Sequence, residues 1–202
     1  MYNYIFDIGG VLVNFDYEEV AALLTEVNHC ELDAVRSLFA YESLYQVESG
    51  RISVSDFFTK YISPVLSKVS YEDWINVFEN HFTLNSVGLE LLLELKQKGR
   101  KVYILSNLAE FHKIAIERKI PGFFEHCELN FFSYEMGYHK PELEIFQKLC
   151  KTIGDRPQNC VFLDDVQKNI EGAQKAGMKG ILFSNERIDQ VREKVRKLES
   201  EG

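Results

Sequence analysis

The stretch Tyr4-Ile5-Phe6-Asp7-Ile8-Gly9-Gly10-Val11-Leu12-Val13 decides how the rest of the chain is read. Its apolar start, Tyr4–Ile8, has the length of a strand buried on both faces, and the two glycines let the backbone turn sharply just after it. An acid at the carboxyl end of a first parallel strand stands where open α/β sheets hold their ligands. Asp before Gly-Gly is also an ordinary turn signal, so these residues alone leave both readings open.

Working outward, four more short apolar runs follow: Val102–Leu105, Leu129–Phe132, Cys160–Leu163 and Gly180–Phe183. Helical patterns separate them. A leucine-rich segment, Gly88–Leu95, precedes the second run and is closed by Gly99. Ala109–Lys119 is stopped by Pro121 and Gly122, Glu142–Ile153 by Gly154 and then Pro157, and Gln167–Ala176 by Gly177. Strand alternating with helix predicts a Rossmann-like α/β core with a parallel sheet of about five strands.

Residues 15–85 break that rhythm, with no convincing strand run and helical spacing throughout. Trp74, Phe78 and Phe82 fall on one helical face. Ser53-Val54-Ser55-Asp56 reads as a capping box opening a helix with Phe57, Phe58 and Tyr61, and Glu48-Ser49-Gly50-Arg51 reads as a loop tip. An insertion of this length is too long for a crossover and suits a small all-helical cap. The expected organisation is a core of residues 1–14 and 86–202 interrupted by a cap of residues 15–85. In the tail, Ile188, Val191, Val195 and Leu198 form the apolar stripe of a helix expected to lie on the sheet.

Composition bounds the function. A chain of 202 residues, 46% hydrophobic and 27% charged, is of globular type and holds one ordinary domain with room for an insertion. With 23 basic against 31 acidic residues the net charge is −8, which argues against nucleic-acid or membrane-surface binding but leaves room for one anionic ligand in a local positive pocket. The four cysteines, Cys30, Cys127, Cys150 and Cys160, form no CxxC pair, so neither a zinc ribbon nor a disulfide framework is expected. Met1–Asp7 lacks a basic lead and does not read as a signal peptide, and no apolar run approaches the roughly 18 residues of a membrane span. A cytoplasmic protein is the expectation; composition says nothing of its oligomeric state.

Three further clusters could carry chemistry. Ser106-Asn107 ends the second strand run, where either residue could equally cap the next helix. In Gly137-Tyr138-His139-Lys140-Pro141-Glu142, Pro141 is expected in the first helical turn, which would place Lys140 just before it as a point charge or as a solvated surface lysine. Asp164-Asp165 ends the fourth run, and adjacent acids there either cap a turn or hold a cation such as Mg²⁺. His29, His81, His112 and His126 lack metal-ligand spacing and read as surface or core residues.

In order, Asp7-Ile8-Gly9-Gly10-Val11-Leu12, Ser106-Asn107, Lys140-Pro141 and Asp164-Asp165 resemble the four motifs of the haloacid dehalogenase superfamily. The likeness spans the chain, and the helical insertion resembles the small cap of a subfamily rich in sugar-phosphate phosphatases, glucose 1-phosphate phosphatases among them. It implies that Asp7 attacks phosphorus and carries an aspartyl-phosphate. It implies Mg²⁺ on the Asp7 carboxylate, the Gly9 carbonyl and Asp165, with Asp164 inside or outside the coordination sphere. Ser106 would bond a phosphoryl oxygen with help from backbone N–H groups at Asn107 and Gly10, and Lys140 would offset charge on Asp7 and the phosphoryl group. The substrate would be a small phosphorylated metabolite, with specificity drawn from the cap and the Glu48–Arg51 tip as candidate.

One position departs from the pattern. Phosphatase members usually carry a second Asp two residues after the nucleophile as general acid and base, and here that position is Gly9. A water, His139 or a cap residue could stand in. The departure also suits a 2-haloacid dehalogenase, whose halide leaves without a proton, or a slow or non-catalytic phosphate-binding protein. The acidic pair Asp164-Asp165 favours the metal-dependent phosphatase over the dehalogenase, and the presence of Asp7, Ser106 and Lys140 together argues against the non-catalytic reading.

Overall fold

Strands form where the sequence is apolar on both faces. The computed structural model describes residues 1–201, and β1 (Asn3–Phe6) is buried at every position. A two-residue strand β2 (Val13–Asn14) follows. Helices α1 (Tyr17–Asn28), α2 (Leu32–Leu38), α3 (Tyr41–Glu48), α4 (Val54–Phe57) and α5 (Tyr71–His81) come next, with a π-helical turn over Phe58–Ile62 extending α4. The chain returns through β3 (Thr83–Leu84) to α6 (Ser86–Gln97), β4 (Val102–Ser106), α7 (Glu110–Lys119) and β5 (Leu129–Phe132). It closes with α8 (Ser133–Met136), α9 (Leu143–Ile153), β6 (Cys160–Asp164), α10 (Gln167–Lys175), β7 (Lys179–Leu182) and α11 (Ile188–Glu201). Gly202 lies outside the described residues.

The main sheet is parallel, ordered β5-β4-β1-β6-β7, so the chain steps to one side of β1 and then to the other. That reversal beside β1 is the switch point at which such sheets open a crevice. Register brings the motifs to the crevice. Phe6 pairs with Ile104 and with Leu163, and one step further Asp7 stands beside Asp164, its N–H donating to the Leu163 carbonyl at 2.9 Å. No helix among the described residues is long and apolar enough to cross a membrane.

The expected five strands are present, within one or two residues at their ends. The inserted segment differs in one respect: Thr83–Leu84 pairs antiparallel with Val13–Asn14, making a ribbon at the root of the insertion. Two residues are too short for strand periodicity to register. Ser53 does cap its helix by accepting the Asp56 N–H, and Ser70 with Asp73 forms a full capping box on α5. The Glu48–Arg51 segment is not a free tip. Glu48 and Ser49 are buried, and a Cβ at Gly50 (φ +69) would lie 2.2 Å from the Tyr134 carbonyl oxygen, so the end of α3 is pressed against α8. Pro141 also departs from expectation: Glu142 caps α9, and Pro141, after a cis peptide bond, lies outside the first turn.

The insertion is joined to the core by aromatic packing. Phe78 on α5 is fully buried between Phe15, Trp74, Phe82 and the α7 residue Phe111, with ring centroids 4.9–6.2 Å apart. Removing such a ring loses both its transfer free energy and the contacts around the cavity left behind. Phe78→Ala is expected to destabilise the protein by about 3–5 kcal/mol in denaturant titration. A loss below about 1 kcal/mol would show that the seam between insertion and core is loosely packed.

Candidate active site

Four elements deliver one residue or segment each. Asp7 follows β1, Ser106 ends β4, Lys140 precedes α9, and Asp164-Asp165 ends β6. Asp7, Ser106, Lys140 and Asp164 are all buried, so their charges are settled by each other rather than by water. Lys140 Nζ lies 2.8 Å from Asp7 Oδ1 and 2.7 Å from Asp164 Oδ2. Burial alone would pull this ammonium down, but Asp164 and Asp7 outweigh it and hold its pKa above the usual lysine value. The solvated surface-lysine reading is thereby excluded.

Burial pushes Asp7 up to about 7 and the charge of Asp164 adds to it, against the pull of Lys140 and the Ser106 hydroxyl. Asp165 is raised too, by burial and then by Asp164. Carboxylate oxygens of Asp7, Asp164 and Asp165 lie within 4.8 Å of one another. Three acids against one ammonium leave excess negative charge at a buried place, which a hard divalent cation bound by oxygen would offset.

The three acids are not equivalent. Asp164 accepts from Val166 N–H at 2.8 Å, from Asn169 Nδ2 at 3.0 and 3.1 Å, and from Lys140. Both its oxygens are thus engaged, and it anchors Lys140 from beneath. The Asp165 carboxylate accepts no side-chain hydrogen bond among the described residues. It sits so close to Gly10 (φ +66) that a Cβ there would come within 2.1 Å of Asp165 Oδ2.

One expected phosphate contact comes out differently. The Gly10 N–H donates to the Val13 carbonyl at 2.9 Å, so it is not available to a phosphate; Gly10 serves by giving Asp165 its place. The Asn107 side chain has a supporting task instead. Its Oδ1 accepts the Lys140 N–H at 2.7 Å and its Nδ2 donates to the Lys140 carbonyl at 3.0 Å, which clamps the lysine's backbone. Of Asn107 only the backbone N–H remains for a ligand.

These groups floor a cavity of ≈ 580 Å³ that the inserted helices roof. Phe15, Tyr17, Phe39, Leu44 and Glu48 enter from the insertion side and Leu108, His112 and Ile116 from the core side. Glu48 Oε2 accepts from His139 Nε2 at 2.9 Å, and the Ser133 hydroxyl donates to the Glu48 carbonyl at 2.5 Å. The sequence placed His112 among unremarkable histidines, yet it is buried on the cavity wall. Tyr17 and Phe39 carried no motif that would have marked them.

Residues 3–177 match the haloacid dehalogenase-like hydrolase family. Among individual proteins, the chain is 27% identical over 188 residues to D-ribitol-5-phosphate phosphatase of Bacteroides thetaiotaomicron, covering 87% of this chain and 88% of that one. It is 27% identical over 180 residues to a sesquiterpene phosphatase of Aspergillus oryzae, covering 88% and 87%. A haloacid dehalogenase-family enzyme from Bacteroides thetaiotaomicron, solved with magnesium and inorganic phosphate, superposes with a TM-score of 0.78 at 28% identity, covering 90% of this chain and 93% of that one. With sheet order, motif placement and a match over most of its length in agreement, the chain belongs to the haloacid dehalogenase-like hydrolase family.

Proposed function

We propose that this protein is a Mg²⁺-dependent phosphatase that hydrolyses a small phosphorylated metabolite, of the sugar-phosphate or polyol-phosphate kind, through an aspartyl-phosphate on Asp7. The observation that carries the reading is Lys140 bridging Asp7 and Asp164 at the mouth of the sheet, with Asp165 left free beside them. One oxygen of Asp7 is held by the Ile8 N–H at 2.7 Å and by Lys140, which orients the carboxylate and leaves its other oxygen for attack.

In the first step that oxygen attacks phosphorus as the P–O bond to the ester breaks, the departing oxygen taking a proton from a water; in the second, water attacks phosphorus and releases phosphate and the free carboxylate. Ser106 holds a phosphoryl oxygen from the end of β4. Lys140 offsets charge as the two anions approach, with little reorganisation because Asp164 and Asn107 already fix it. Asp7, the Gly9 carbonyl and Asp165 would hold Mg²⁺, with Asp164 supporting from behind. When bound, the ion supplies positive charge that lets a carboxylate approach a phosphate. The insertion, residues 15–85, acts as the cap that encloses the leaving group.

Phosphate release from D-ribitol 5-phosphate, D-glucose 1-phosphate and p-nitrophenyl phosphate tests the reading. Chelation is expected to lower turnover by at least about 10²-fold, several kcal/mol of lost charge stabilisation, and added Mg²⁺ to restore it. Turnover indifferent to chelation would refute the metal-dependent mechanism. Metal-free release of halide from 2-chloropropionate would point to the dehalogenase reading instead.

A further inference from the structure

The cavity wall also carries polar groups to which the reaction at phosphorus, as proposed above, assigns no role. Glu48 is 8% exposed, and its Oε2 is held by His139. Its other oxygen, Oε1, receives no hydrogen bond among the described residues; the nearest ring nitrogen, His112 Nδ1, is 4.0 Å away and already accepts the Ala109 N–H. A neutral ring that accepts at Nδ1 carries its proton on Nε2. Burial favours that neutral form, pulling His112 down to about 4 against the opposing charge of Glu48. His112 is 4% exposed and its Nε2 has no hydrogen-bond partner. Tyr17, 39% exposed, lines the same cavity, and its phenol has no hydrogen-bond partner among the described residues.

A buried donor left without a partner, as His112 Nε2 is, costs about 1–3 kcal/mol unless a ligand satisfies it, and Glu48 Oε1 stands unbonded on the wall of the same cavity. Resting on the phosphatase reading above, we propose that Tyr17, Glu48 and His112 form a receptor for a hydroxyl of the leaving alcohol remote from the ester bond. The chemistry selects a hydroxyl over other polar groups. A hydroxyl donates once and accepts twice, so one group can donate to Glu48 Oε1 and accept from His112 Nε2–H and the Tyr17 phenol. An ammonium only donates and would leave the His112 N–H unpaired. A purely alkyl chain would leave all three groups unpaired. Beside them Phe15, Tyr17 and Phe39 form a continuous wall, with centroids 4.6 Å apart for Phe15 and Tyr17 and 5.2 Å for Tyr17 and Phe39. The C–H face of a polyol or sugar skeleton lies against such a wall while its hydroxyl reaches the receptor. Because His139 ties Glu48 to the segment carrying Lys140, the receptor sits on the same support as the catalytic ammonium.

Paired substrates test this: D-ribitol 5-phosphate against n-pentyl phosphate, D-glucose 1-phosphate against cyclohexyl phosphate, and 5-aminopentyl phosphate as the ammonium arm. In the wild-type protein with Mg²⁺, kcat/KM for the better hydroxylated ester is expected to exceed that of its deoxygenated partner by at least about 30-fold, as several small hydrogen-bond terms combine. Tyr17→Phe and His112→Asn, the latter keeping an acceptor for the Ala109 N–H, are each expected to shrink that ratio by about 3–10-fold, and Glu48→Gln by about 10–100-fold. The deoxygenated ester reports any damage to the catalytic groups, so an equal fall on both partners overturns the receptor. So does a wild-type ratio near one, or a preference for the aminopentyl ester. Absence of phosphate release from every ester would overturn the phosphatase reading, and the receptor with it.

Discussion

Asp7→Asn is expected to abolish phosphate release, by about 10⁴-fold or more, while leaving the protein folded. The amide keeps the shape of the carboxylate and can still accept the Ile8 N–H, but it is a poor nucleophile and carries no charge for a cation. Stability is expected to change by about 1 kcal/mol at most, because Lys140 retains Asp164 at 2.7 Å and so is not stranded as an unpaired buried charge. Release assays on p-nitrophenyl phosphate alongside denaturant titration separate the two effects. Activity within tenfold of wild type would remove Asp7 as nucleophile. A large loss of stability would mean that Asp7, rather than Asp164, is the chief anchor of Lys140.

Much of this site was legible because it depends on a feature the sequence displays, an apolar run ending in a chemically marked residue. Tyr4–Asp7, Val102–Ser106 and Cys160–Asp164 are buried on both faces, which the sequence writes as unbroken apolarity, and parallel register then aligns their ends. What stayed hidden depends on contacts between distant residues. Glu48 looks like the start of a polar turn until α8 is set against it, 85 residues away through the Ser133 hydroxyl. His112 looks like one surface or core histidine among several until α5 and α7 close around it. The Gly10 N–H was misread for a related reason. A backbone N–H beside a ligand site looks available in the sequence, whereas the fold had already engaged that of Gly10 with the Val13 carbonyl.

The second large effect concerns the position where the family pattern is broken. Gly9 has nothing within 4 Å of where a Cβ would stand, so a side chain there meets open space rather than backbone. In the family pattern the acid two residues beyond the nucleophile serves the leaving oxygen, and a positioned general acid contributes about 10²–10⁴-fold. Gly9→Asp is therefore expected to raise kcat/KM on an alkyl phosphate such as n-pentyl phosphate by about 10²-fold. On p-nitrophenyl phosphate the change is expected to stay within about threefold, since p-nitrophenolate leaves without a proton. The choice of kcat/KM matters: it reports the steps through departure of the alcohol and is blind to later hydrolysis of the aspartyl-phosphate, which the new acid could also assist. A gain confined to the alkyl ester would show that the wild-type protein lacks a proton donor at that step. No gain on either ester would mean that a donor is already in place, and Glu48 and His139, hydrogen-bonded to one another on the cavity side of Lys140, are then the groups to substitute next.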